Sequence, residues 1–173
     1  MNFIRRVPRR VPTPLFQRIF SSNAKQIFNK SCYSKVNYLI NQNDNVQKAV
    51  VRFAANKIGC LAVVDNNNCL VGVFSERDCI KHIASSEKES AAIQIKEVCK
   101  YTPDIFVANP DDCVEDCMIK MYVNDIRHLV LVDETNQKLE GLISIKDIFR
   151  EMIVQNKVLS FIMFSSKKNL SKK

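Results

Sequence analysis

Three glycines stand in 173 residues, no Cys-x-x-Cys pair occurs, the first 43 residues hold no acid, and no apolar run is long. Each shortage excludes something. A membrane-spanning helix requires about 18 consecutive apolar residues. The late run Val158-Leu159-Ser160-Phe161-Ile162-Met163-Phe164 falls far short of that, so no span is expected. Without Cys-x-x-Cys there is no recognisable four-ligand zinc frame, although Cys113 and Cys117 lie one helical turn apart and His128 follows them. Seven cysteines, an odd number, read as free and mostly packed thiols of a reducing compartment. Scarce glycine also makes the placing of Gly72 and Gly141 informative.

The missing acid locates the net charge of +8. Residues 1–43 carry eight Lys and Arg, while residues 44–173 balance at 18 basic against 18 acidic. A nucleic-acid binder concentrates cations on its folded part. This chain does not, so no nucleic-acid partner is expected. An Arg-rich, acid-free front end with Ser and apolar residues has the composition of a mitochondrial transit peptide. Arg18-Ile19-Phe20-Ser21-Ser22 adds a matrix-processing pattern with Ser21 as the new terminus. Residues 1–35 are therefore read as a basic leader directed to the mitochondrial matrix. Pro8, Pro12 and Pro14 interrupt an amphipathic helix there, and a basic tail that binds acidic lipid or a partner is the alternative.

What is present is a duplication. Residues 46–65, VQKAVVRFAANKIGCLAVVD, and residues 114–133, VEDCMIKMYVNDIRHLVLVD, align at constant offset. Val46/Val114, Asn56/Asn124, Ile58/Ile126, Leu61/Leu129, Val64/Val132 and Asp65/Asp133 are identical, and after one inserted turn residue so are Leu70/Leu139, Gly72/Gly141, Ser75/Ser144 and Asp78/Asp147. Val46, Ala49, Val50 and Phe53 form one helical stripe, as do Val114, Cys117, Met118 and Met121. Asn43-Asp44-Asn45 and Asn109-Pro110-Asp111-Asp112 supply helix-start oxygens.

Ile58–Val64 and Ile126–Val132 read as buried strands, Leu70–Phe74 and Leu139–Ile143 as their returns. Helices are expected over 76–84 and 145–152, and short extended segments over 38–40 and 105–107. The fold class is thus α/β, two β-α-β-β-α units too small to be stable apart and packed sheet to sheet. The predicted division is a leader over 1–35, repeat 1 over 36–86, a connector over 87–100 with a short helix near 93–100, repeat 2 over 101–156, and a Lys-rich tail over 157–173.

KIGCLAVVD…LVGVFSERD and DIRHLVLVD…LEGLISIKD resemble tandem CBS domains, the cystathionine-β-synthase-type repeat that pairs into a Bateman module. The likeness spans about residues 36–154 and is nearest to small stand-alone pairs, including mitochondrial ones. It implies tandem repeats with pseudo-two-fold symmetry and a cleft for an adenosine-containing ligand such as AMP, ADP, ATP, NAD(H) or S-adenosylmethionine. Homodimerisation is likewise implied by the resemblance alone. The chemistry of the residues agrees. Asp78 and Asp147 can each accept hydrogen bonds from a ribose diol, and Ser75 and Ser144 at helix starts can bond phosphate. Gly72 and Gly141 allow a base or a strand to approach closely. In the family an Arg-His pair like Arg127-His128 faces phosphate, and Arg77 and Lys146 occupy spacer positions whose charge could help.

Blander readings stand beside these. Ser-x-x-Asp is also close to a capping box, and His128 is also a candidate for a satisfied, partly buried histidine. Two departures matter. Val130 stands where many relatives have Pro, and Gly59-Cys60 occupies the place of Arg127-His128, so the two clefts are not equivalent. Arg127-His128 directs the expected phosphate toward the second repeat. No nucleophile–base constellation is visible and no cofactor requirement follows, so a non-catalytic regulator of a partner protein is expected. The alternative is an accessory subunit of a larger mitochondrial complex with vestigial pockets.

Overall fold

The computed structural model describes residues 20–85, 89–101 and 106–156. Most of the expected basic front end (1–19), the start of the connector (86–88), residues 102–105 and the Lys-rich tail lie outside them.

Two sheets carry the duplication. The first has the order β1 (Leu39–Asn41), β2 (Cys60–Val64), β3 (Leu70–Ser75) and β4 (Lys100–Tyr101). The second runs β5 (Val107–Ala108), β6 (His128–Val132) and β7 (Leu139–Ser144). In each, the first strand is parallel to the second and the second antiparallel to the third. Registers repeat as well: Leu39 faces Ala62 as Val107 faces Val130, and Cys60 faces Ser75 as His128 faces Ser144. Even the irregularities match, with register shifts at Val63/Val64 and Leu131/Val132. The non-glycine residues with positive φ, Lys57 with Asp125 and Asn68 with Gln137, fall at corresponding turns.

Helices α2 (Val46–Asn56) and α5 (Val114–Val123) follow β1 and β5; α3 (Glu76–Ser85) and α6 (145–156) follow β3 and β7. The predicted stripes are the buried faces: Val46, Ala49 and Phe53 on α2, and Val114, Cys117 and Met121 on α5. Asn45 caps α2 by accepting the Lys48 N–H at 2.9 Å. The corresponding cap of α5 is Cys113, which makes no side-chain cap bond. Asp112 is instead drawn to Lys120 at 2.5 Å and to the Asn109 N–H at 2.9 Å. Val130, Val132 and Leu142 of the second sheet pack with Leu61, Val63 and Phe74 of the first in one buried cluster. Leu129, Leu131 and Ile143 point the other way, into a cluster with α5 and Ile148. Period-2 alternation along β6 thus serves both layers.

Two expectations are corrected. The connector helix is a single turn, α4 (Ile95–Val98), after which Lys100–Tyr101 joins the first sheet as an edge strand. The other concerns the end of the expected leader, which is folded. Residues 24–30 form helix α1, which packs on β7, and a 3-10 turn covers Cys32–Lys35. Phe20, Ala24, Ile27 and Tyr33 are buried in the core.

The reason is that α1 and α4 are themselves counterparts. Asn23 bridges Cys113 as Gln94 bridges Asn45. Asn23/Gln26 and Gln94/Glu97 each form a capping box. The Ala24 and Lys25 amides donate to Asp112 and Pro110, as those of Ile95 and Lys96 donate to Asp44 and Gln42. The helix that precedes repeat 1 therefore docks on repeat 2, and the helix that precedes repeat 2 docks on repeat 1. Among the described residues no helix is long and apolar enough to cross a membrane.

Candidate functional site

Each Ser-x-x-Asp is built first as a helix cap. Ser75 Oγ donates to Asp78 Oδ2 at 2.5 Å, the Ser75 N–H reaches the same oxygen at 3.2 Å, and the Asp78 N–H returns to Ser75 Oγ at 3.3 Å. Ser144 and Asp147 repeat the pattern at 2.5, 2.9 and 3.3 Å. The capping-box alternative is therefore realised in both copies. A carboxylate has two oxygens, and the cap engages only Oδ2. Oδ1 of Asp78 lies 3.7 Å from Lys100 Nζ, and Oδ1 of Asp147 lies 3.7 Å from Arg150. Both carboxylates are nearly buried.

What surrounds the two caps differs. Beside Asp78 opens a cleft of about 270 Å³ between the repeats. Ser75, Arg77 and Asp78 enter it from β3 and α3, Lys100 from β4, and residues 124–128 from the turn between α5 and β6. Cys60, Val73, Phe106 and Ile126 supply its apolar wall. Arg77 spans the mouth to Asp125 of the other repeat at 3.3 Å. His128 is mostly enclosed. Burial, then the adjacent Arg127 charge, pushes its imidazole down to about 4 against a weaker pull from Asp147, so it is neutral near pH 7. The ring packs edge-on to Tyr33, with centroids 6.1 Å apart.

The Asp147 side holds a smaller recess of about 150 Å³, lined by Ile27, Lys30, Asp147, Arg150, Glu151 and Val154. Helix α1 forms one of its walls. Phe28 lies against Gly141, where an added Cβ would meet the ring at 2.8 Å. Tyr33 Oη accepts the Gly59 N–H at 3.2 Å. Lys30 reaches both oxygens of buried Glu151 at 2.8 and 2.9 Å, and Ser22 Oγ donates to it at 2.6 Å. Burial opposes the Glu151 charge, yet these donors and Gln155 hold its carboxyl below the ordinary value. The segment expected to be a leader thus closes the second cleft.

The predicted residues therefore divide. Ser75, Arg77, Asp78, Arg127 and His128 come together in one cleft. Ser144, Lys146 and Asp147 do not join them; Lys146 is exposed and lines neither space. Arg127-His128 is expected from the sequence to hold phosphate near the second repeat; the pair lines the cleft that also holds Asp78 of the first. The glycines admit neighbours: β4 closes on Gly72, where an added Cβ would strike the Lys100 carbonyl oxygen, as Phe28 closes on Gly141. Sequence reasoning missed Lys81, Lys100 and Asp125 in the cleft. Lys81 and Asp125 were visible only as charges one turn beyond Asp78 and just before Arg127.

All seven cysteines are free, with Cys60, Cys79 and Cys117 buried and Cys32 and Cys69 exposed. Among the described residues no cluster of three or more His, Cys, Asp or Glu is arranged to hold a metal.

Two similar units, their strand-to-helix caps and an inter-repeat cleft define a CBS-type pair. The chain belongs to the CBS domain family, whose model matches residues 33–85 and 95–154. It is 31% identical over 117 residues to an uncharacterised 17.7 kDa protein of Acidianus ambivalens, covering 67% of both chains. A CBS-domain protein of Burkholderia ambifaria MC40-6 superposes with TM-score 0.68 at 28% identity, covering 77% of this chain and 95% of that one. The CBS domain pair of protein MJ0100, solved with 5'-methylthioadenosine and S-adenosyl-L-methionine, gives 0.63 at 25%, covering 75% and 94%. Some relatives are much longer: the chain spans 21% of an inosine-5'-monophosphate dehydrogenase of Methanocaldococcus jannaschii, at 32% identity over 111 residues, 64% of this chain.

Proposed function

We propose that this is a non-catalytic regulatory CBS pair whose Asp78 cleft binds an adenosine-containing ligand of the AMP, ADP, ATP or NAD(H) class and so modulates a partner protein. One observation carries the reading. The Asp78 oxygen that the cap leaves unused, the Ser75 helix start and Arg127 converge on one opening between repeats. A carboxylate suits a ribose diol, and a helix N-terminus with a guanidinium suits phosphate. The adenosine ligands of the MJ0100 pair support the ligand class. A ligand held by both repeats favours one packing of them, and that difference is what a partner would read.

The pair acts as a homodimer in this reading. Its outer helices leave Ile80 68%, Tyr122 88% and Phe149 56% exposed, an apolar surface that a second copy would cover. The small stand-alone pair is placed in the mitochondrial matrix. That placement is supported by the acid-free, Arg-rich residues before the fold. N-terminal sequencing of the native protein tests it: Ser21 is expected, and a retained Met1 contradicts it. The alternative, an accessory subunit with vestigial pockets, draws on the closure of the Asp147 side. Crystals grown with AMP decide between the two. Density beside Asp78 is expected; no density in either cleft, or density beside Asp147 alone, overturns the regulatory reading.

A further inference from the structure

The charges around the open cleft are unequal. Among the described residues, Arg77, Lys81, Lys100 and Arg127 line it as cations, against only Asp78 and Asp125 as carboxylates. The walls restrict solvent, so this imbalance acts with less screening than on an open surface. The acids are also partly engaged. Asp78 Oδ2 is held by its cap and Oδ1 lies beside Lys100. Asp125 is tied to Arg77 across the mouth. An incoming cation would meet four like charges, and an incoming polyanion four opposite ones.

Resting on the adenosine reading above, we propose that the cleft selects among adenosine ligands by the charge of the 5' substituent. It takes phosphorylated nucleosides, the triphosphate most tightly, and disfavours the sulfonium of S-adenosylmethionine. Asp125 is a specificity-determining residue in this arrangement. Its carboxylate occupies Arg77 in the empty cleft and competes with the ligand phosphate for it. The competition sets how much of the cation excess reaches the ligand, because Arg77 cannot pair fully with both.

Calorimetric titration of the full chain with adenosine, AMP, ATP and S-adenosylmethionine, each at low and high salt, tests this. ATP is expected to bind at least about tenfold more tightly than adenosine at low salt and to lose most of that advantage at high salt. S-adenosylmethionine is expected to bind no better than adenosine. Asp125→Asn is isosteric and keeps a residue that tolerates the left-handed backbone at this position, φ 47. It is expected to tighten ATP by about threefold without changing adenosine. Adenosine or S-adenosylmethionine binding as tightly as ATP, or an Asp125→Asn protein of unchanged melting temperature and unchanged ATP affinity, overturns the selection while leaving the adenosine reading intact. No binding of any of the four overturns both.

Discussion

Phe28 lies against Gly141 so closely that a Cβ there would meet three ring carbons at 2.8, 2.9 and 3.1 Å. That contact helps close the Asp147 side, the counterpart of the open cleft beside Asp78. Replacing Phe28 with Ala and Lys30 with Ala removes the ring and the ion pair to Glu151 together. Thermal unfolding is expected to show a loss of about 2–4 kcal/mol. Titration with ATP is expected to reveal a second, weaker site on the folded double variant. A variant that stays folded and still shows one site would mean that α1 is not what closes the Asp147 side.

The two strand glycines predict different outcomes for the same substitution. At Gly72 an added methyl strikes the backbone oxygen of Lys100, which cannot move without unpairing β4. Gly72→Ala is therefore expected to cost about 2–3 kcal/mol. At Gly141 the obstacle is a side-chain ring that can shift, so Gly141→Ala is expected to cost less. Denaturant midpoints of the two proteins check the order, and the opposite ranking contradicts it.

The serines separate capping from the cleft. Ser144→Ala is expected to cost about 1 kcal/mol through loss of the cap and to leave ligand binding unchanged. Ser75→Ala removes the equivalent cap, with a similar cost, and also frees Asp78 Oδ2 at the edge of the open cleft. Binding is expected to change only for Ser75→Ala. Equal effects of the two substitutions on binding would contradict the asymmetry.

His128 gives a pH dependence. Its imidazole is held down to about 4 from the ordinary 6.5 by burial and by Arg127, with Asp147 opposing. The unfolded chain therefore binds more protons between these values, and stability falls as pH drops. The contribution is complete above about 6.5 and is lost on acidification to about 4, about 3 kcal/mol in all. Melting temperatures across this window should fall more steeply for the natural protein than for His128→Gln. Parallel curves would contradict a buried neutral imidazole.

The duplicated core could be read from the chain because its signals are local. The stripe Val46, Ala49 and Phe53, the apolar run through Val64, and Ser75 three residues before Asp78 each follow from a period or a spacing. The role of α1 could not. Asn23–Ile27 and Gln94–Val98 occupy corresponding places yet share only Lys25/Lys96, and the basic setting of the first gave it the composition of a leader. Which Asp meets Arg127-His128 was equally hidden. The pairing is made between repeats by the packing of two sheets, and no spacing along the chain records it.

Among the described residues, the cleft beside Asp78 is open and the Asp147 side is closed by α1. Titration of ATP into the natural protein, Asp78→Asn and Asp147→Asn tests it most directly. One site per chain is expected, lost or weakened at least about tenfold in Asp78→Asn. Asp147→Asn is expected to keep the affinity while unfolding at lower temperature. Two equal sites, or binding abolished by Asp147→Asn and kept by Asp78→Asn, would contradict it.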